Sequence, residues 1–188
     1  MRLFVDDHFN SSIGPSENAD TQAIVDKVAR AAPGEAIAFT LSRDAGTLAC
    51  SGRAEGGGRA SGNCRFDPNP GFAGGLARRA IAATDSEQML ALTLVNAHLG
   101  TVDALAARGY DFADAGQLIA VSALQVTPAY ADELRGAGLQ IGKLGDLIAA
   151  KALKIDGQWL GDMARAGYPD LVVGKAAVHR VDADRDDC

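Results

Sequence analysis

Aromatic side chains make up only 5% of the 188 residues, with a single tryptophan, so no large aromatic core is available. The apolar fraction is nevertheless 47%, normal for a globular chain. The interior must therefore be built from alanine, leucine, isoleucine and valine, which suits closely packed helices. Basic residues are outnumbered 18 to 24, giving a net charge of −6 and a pI near 5.0. Such a surface repels phosphate backbones and excludes nucleic acid as a natural partner. No apolar run approaches the roughly 18 residues a membrane span requires. The opening "MRLFVDDHFN" has one basic residue and a three-residue apolar run, unlike a secretory signal. A chain whose signal had been removed would read the same, which leaves location open.

Chemistry-bearing motifs are also scarce. There are three histidines, and none has the short spacing of a metal site. HExxH, GxSxG and Cys/His protease signatures are absent, so nothing points to an enzyme. "AEGGGRASG" (54–62) lacks the GK[ST] ending and does not lead into a helix, so it reads as a hairpin loop, not a phosphate cradle. "VDADRDD" (181–187) begins like a calcium loop but lacks the glycine at its sixth position; it reads as an acidic tail. "DDH" (6–8) reads as surface. No cofactor and no metal is expected.

What is present is a repeat. Shifting the chain by 29 residues superposes Leu105, Leu134 and Met163, then Gly109, Gly138 and Gly167, then Tyr110, Leu139 and Tyr168. Upstream, Met89, Leu118 and Leu147 correspond, as do Leu90, Ile119 and Ile148, and Ala97, Val126 and Ile155. Self-similarity at a fixed period marks stacked units. Each copy predicts two short helices. Ile119, Ala123 and Val126 fall on one face of the first helix, at helical spacing. Thr127 is placed to cap the second, with Pro128 at its first position, and Asp156 takes the capping place in the next copy. Gly138 and Gly167 end these helices cheaply in the left-handed conformation. A helix of this length is marginal alone, so each pair needs a neighbour on which to bury its stripe. A fourth copy starts at Tyr168 and contains a first helix only. His98 falls at a helix entry, as a cap or an exposed residue.

The front half differs. Residues 19–32 predict a helix with Ile24, Val28 and Ala31 on its apolar face. Segments 35–41, 46–52 and 61–66 alternate like half-buried strands, joined by a turn at "RDAG" and a flexible loop at "RAEGGGRAS". "FAGGLARRAIA" predicts a further helix, weakened by its paired glycines. The fold class expected is α+β: a small antiparallel β-meander with flanking helices, then an α-helical hairpin array. The domain reading is 1–85 for the meander region, 86–181 for the repeats and 182–188 for an acidic tail. If the hairpin closes symmetrically about Gly57, Leu48 faces Phe66 and Cys50 faces Cys64. Directly opposed cysteines in a non-hydrogen-bonded pair reach disulfide distance; the alternative is two buried thiols on the core face. A bond would favour an oxidising compartment.

If the array binds a partner, its aromatic contacts are Tyr130, Trp159, Tyr110 and Tyr168. The competing reading packs Tyr130 and Trp159 between adjacent helix pairs and makes Tyr110 and Tyr168 lids on the repeat junctions. Arg78, Arg79, Arg108, Arg135 and Arg165 read as a solvated set. The units "LQVTPAYADELRGAGL" and "LKIDGQWLGDMARAGY" resemble the "ALKIHGVTPEYVRELRAAGY"-type repeats found behind penicillin-receptor-type membrane metallopeptidases and in small bacterial envelope proteins. Residues 39–79 also resemble the region preceding those repeats. The second unit departs with Asp156 and Gly157 where the pattern has Thr and Pro, and the peptidase metal motif is missing. The resemblance implies a periplasmic or envelope-associated accessory module, against a cytoplasmic alternative. The function expected is non-catalytic protein binding or regulation through the repeat surface, with a partner carrying a basic segment. The alternatives are a small-molecule sensor with a pocket between meander and first repeat, and an enzyme of unrecognised type.

Overall fold

A computed structural model describes residues 2–5, 9–12, 19–81 and 85–168. The class is α+β. The described chain divides into two compact units.

The first unit is built on a five-stranded sheet. Its meander consists of β3 (Ala36–Arg43), β4 (Gly46–Gly56) and β5 (Arg59–Pro68), all antiparallel. Two short strands, β1 (Arg2–Val5) and β2 (Phe9–Ser12), extend it, giving the order β2-β1-β5-β4-β3. β1 runs parallel to β5, pairing Val5 with Cys64. The meander alone was expected. β1 and β2 are too short, and too interrupted by "DDH", to alternate visibly.

The register of the meander follows the predicted symmetry as far as Ala54 and Ala60, with Leu48 paired to Phe66 and Cys50 to Cys64; between Ala54 and Gly56 it shifts, and Gly56 pairs with Arg59. The Cys50 and Cys64 Cα atoms lie 4.1 Å apart and their sulfurs are at disulfide-bonding distance. That Cα separation is the short one of a non-hydrogen-bonded pair. The closed loop of about 15 residues is worth ~3 kcal/mol in the chain-entropy account. The "RAEGGGRAS" segment is not the flexible loop expected. The strands continue through it, burying Ala54 and Ala60, and only Gly57 and Gly58 turn the chain, both at positive φ. Alternation wins because two alanines can still face the core.

One face of the sheet is covered. α1 (Ala19–Arg30) buries Ile24 and Val28, the latter against Ile37, Ala54 and Ala60. α3 (Ser86–Leu94) packs on β4 and β5 and buries Met89, Leu90 and Leu92. By sequence α3 is the first helix of the first copy, yet its contacts place it with the sheet.

The second unit contains α4 (Leu99–Ala106), α5 (Ala115–Ala123), α6 (Pro128–Gly136), α7 (Leu144–Ala152) and α8 (Gly157–Arg165). First helices stack on first helices, α5 on α7, and second on second, α4 on α6 and α6 on α8. Leu105, Leu118, Leu134 and Leu147 are all at 0% exposure. The predicted caps form: Thr127 Oγ1 accepts from the Tyr130 N–H at 3.1 Å and Asp156 Oδ1 from the Trp159 N–H at 2.8 Å. His98 occupies the same place, but its side chain makes no capping bond.

The array also begins earlier than the sequence suggested. α2 (Pro70–Ala77) is shorter than "FAGGLARRAIA" and starts at a proline, and its C-terminal part belongs to the second unit. Leu76, Arg79 and Ala80 stand 29 residues before Leu105, Arg108 and Gly109. The terminating bond is the same throughout: Ile81, Tyr110, Leu139 and Tyr168 donate their N–H to Leu76, Leu105, Leu134 and Met163 carbonyls, at 3.0–3.1 Å. Ala80 holds φ +57 where the later copies use glycine. α2 is therefore a preceding second helix, hidden because alanine replaces the diagnostic glycine.

First helices end in a left-handed residue too: Asn96, Gln125 and Lys154, at φ +56, +54 and +54. Only asparagine visits this region at modest cost; other side chains lose roughly 1–2 kcal/mol. Gln125→Gly and Lys154→Gly are each expected to raise the free energy of unfolding by about 0.5–1 kcal/mol, after the added freedom of the unfolded chain. Denaturant titration reads this directly, and a loss of stability in both variants would contradict it.

Candidate functional site: the face of helices α5 and α7

The aromatic residues expected to bind are mostly interior. Tyr110 is 2% exposed and Tyr130 6%. Tyr130 Oη donates to the Ile155 carbonyl at 2.6 Å, and the Lys151 ammonium stands 4.6 Å from its ring centroid. This ties one second helix to the end of the next first helix. Tyr110 lies beneath Arg135, whose guanidinium is 5.8 Å from the ring centroid. Both tyrosines thus act as joints inside the array, and neither is presented to a partner. Trp159 is half-buried on α8 and Tyr168 is 48% exposed; the structure does not bring the four into one surface.

Tyr130 carries a pH consequence. Burial raises its phenol above the usual value, with Glu133 and Asp156 adding to the shift. An unfolded tyrosine ionises near pH 10. The contribution of this group is therefore fully present and constant with pH near neutrality, and is lost as pH rises above about 10 because only the unfolded state then releases the proton. Tyr130→Phe is expected to cost about 1–2 kcal/mol at neutral pH, leaving the Ile155 carbonyl unpaired. The variant should also show a shallower alkaline decline in unfolding free energy. An unchanged alkaline limb would show that Tyr130 is not the group responsible.

The arginines are not merely solvated. Arg79 grips Asp103 through two nitrogens at 2.6 Å, and Arg108 grips Asp132 at 2.8–3.0 Å. Each also donates to a carbonyl of the helix just before it, Gly75 in α2 and Ala104 in α4, at 2.9 Å. The same staple recurs one repeat apart. Hydrogen bonds from the guanidinium groups hold Asp103 and Asp132 below the ordinary carboxylate range. The ladder stops where Ala137 and Gly161 follow in the period. There Glu133 takes over, accepting from the Gly157 N–H at 2.7 Å. These groups join helices and have no free chemistry.

What the array leaves uncovered lies on its first helices. On α5, Gly116 and Ala123 are exposed and Ile119, Ala120 and Leu124 half-buried. On α7, Gly145 and Ala152 are exposed and Ile148, Ala149 and Leu153 half-buried. Position by position the two sets are the same residue types 29 apart. Small residues at i, i+4 and i+7 leave a flat helix surface with no charge along its centre. α5 and α7 pack side by side, so two such stripes lie together. Lys143, Lys151 and Lys154 flank the α7 stripe. The Gly-xxx-Ala-xx-Ala pattern repeats in the sequence, but the stripe expected to be buried, Ile119 and Ala123 with Val126, is not the covered face of α5: Ala123 is exposed and Ile119 half-buried, and Ala115, Leu118 and Val121 are buried instead.

Among the described residues, no three His, Cys, Asp or Glu side chains converge as a metal site. No single described helix is long and apolar enough to cross a membrane. A shallow apolar depression of about 190 Å³, counting space open to solvent, lies on the sheet beside Ile37, Phe39, Gly52 and Gly62. It has no converging polar groups. Asp6, Asp7, His8, His179, Cys188, the fourth-copy segment 169–181 and the acidic tail lie outside the described residues. No protein-family model, curated protein or solved structure matches this chain.

Proposed function

We propose that this chain is a non-catalytic recognition module whose repeat array binds a helical segment of another protein along α5 and α7. The observation that supports this most is the uncharged small-residue face repeated on two adjacent helices. Such a face admits another helix closely, in the helix-on-groove mode. The buried tyrosines and the arginine staples support it further, since they fix the array and, among the described residues, do not occupy this face. The net charge of −6 favours a partner with a basic flank, while the exposed Lys143 and Lys154 would meet acidic groups at the α7 edge. Paired cysteines at bonding distance and the resemblance to envelope repeat proteins support an oxidising, extracytoplasmic setting.

A photoreactive side chain at position 149 tests the surface, with position 129 on α6 as the control. Discrete protein adducts from 149 in cells, absent from 129 and reduced by Ala120→Glu, are expected. Equal adducts from both positions, or none from 149, would reject the assignment.

A further inference from the structure

The sheet offers a second surface. β3 is an edge strand. Its hydrogen-bonding direction follows from its neighbours. Because Cys50 and Cys64 form a non-hydrogen-bonded pair, the Cys50 N–H and C=O point toward β3, and those of its partner Phe39 point back. The Glu35 carbonyl, four residues earlier, accepts from the Ala54 N–H at 2.9 Å, in phase. Ala36, Ala38, Thr40 and Ser42 therefore direct their backbone groups outward. Lys27 Nζ confirms it by donating to the Ala38 carbonyl at 2.7 Å. The strand carries no proline and no lysine of its own, the devices that usually blunt an edge.

We propose that a second copy of this chain pairs here, β3 against β3 antiparallel, in the register centred on Phe39. Three features select this occupant and register together. Ala38 and Thr40 then exchange backbone hydrogen bonds, as do Ala36 and Ser42, using only outward groups. Glu35 at one end of the strand falls opposite Arg43 of the other copy, twice, a charge pairing that a shift of two residues would lose; to form it Glu35 must release the Ala32 N–H at 2.9 Å and Arg43 the Thr21 hydroxyl at 3.1 Å. On the apolar side Ile37 lies opposite Leu41 and the half-buried Phe39 meets its own copy, continuing the row beside the depression formed by Ile37, Phe39, Cys50, Gly52, Ala60 and Gly62. Lys27 competes for the Ala38 carbonyl and must swing aside, so it sets how tightly the copies hold.

Sedimentation of the full chain across a wide concentration range, with amide exchange on the same samples, tests this. A dimer is expected, and with rising concentration the amides of Ala38, Thr40 and Ser42 gain protection while those of Phe39 and Leu41, already in the ladder, do not. Thr40→Pro removes an outward donor that the monomer does not use and should weaken dimerisation at least about tenfold. Lys27→Ala, which removes the competitor, should strengthen it. A chain that stays monomeric at the highest concentration, or a dimer whose new protection falls elsewhere, overturns the proposal. So does a dimer that Thr40→Pro leaves unchanged; if that variant does not fold, the protection pattern decides alone.

Discussion

Gly62→Ala is expected to cost more than about 4 kcal/mol, an exceptional loss for one methyl group. Gly62 faces Gly52 across β4 and β5. A Cβ built at Gly62 would lie 2.6 Å from the Gly52 Cα, 2.8 Å from the Ser51 carbonyl carbon, and closer still to the Ser51 carbonyl oxygen. Every one of these atoms is backbone, so no side chain can rotate away. The strands would have to separate two residues from the Cys50–Cys64 pair, whose Cα atoms are 4.1 Å apart. Gly52→Ala should fail for the same reason, its Cβ falling 2.7 Å from the Gly62 Cα. Gly58→Ala isolates the contribution of backbone conformation. Its φ is +72 and nothing lies within 4 Å of the added carbon, so it should lose only about 1–2 kcal/mol. Equal losses for Gly58→Ala and Gly62→Ala in denaturant titration would show that close approach is not what the meander requires.

That pair also shows where the sequence could be read and where it could not. Pairing about Gly57 was legible because symmetric closure there sets Leu48 opposite Phe66 and Cys50 opposite Cys64, while alternation fixes which face each takes. The closeness of the strands at Gly52 and Gly62 was not. A glycine needed for approach and one needed for a turn are the same letter, and "RAEGGGRASG" contains both kinds. The array was legible from its period, since a stacked unit repeats its burial and its caps together. Its start was not, because Ala80 does with strain what Gly109 and Gly138 do freely. The aromatic residues misled for a related reason. Tyrosine marks interfaces between proteins and between repeats alike, and only the hydrogen bond from Tyr130 to Ile155 tells which interface it serves.

The array supplies the other large effect. Leu134→Ala is expected to cost about 3–4 kcal/mol, the removed transfer energy plus the cavity left in a site that cannot collapse. Leu134 is at 0% exposure on α6, and α6 has second helices on both sides, α4 and α8. Met163, its counterpart one copy later, is only half-buried, so Met163→Ala should cost less than about 1 kcal/mol. The contrast separates two views of a repeat. If each helix pair were self-sufficient, equivalent positions would carry equivalent weight. If stability is shared through neighbours, the central position carries more and its loss travels. Amide exchange in Leu134→Ala should then accelerate in α4 and α8 as well as in α6, because each loses part of the surface it is buried against. Faster exchange confined to α6, or a cost for Leu134→Ala no greater than for Met163→Ala, would mean that the pairs fold singly and that the period is a record of duplication without mechanical consequence.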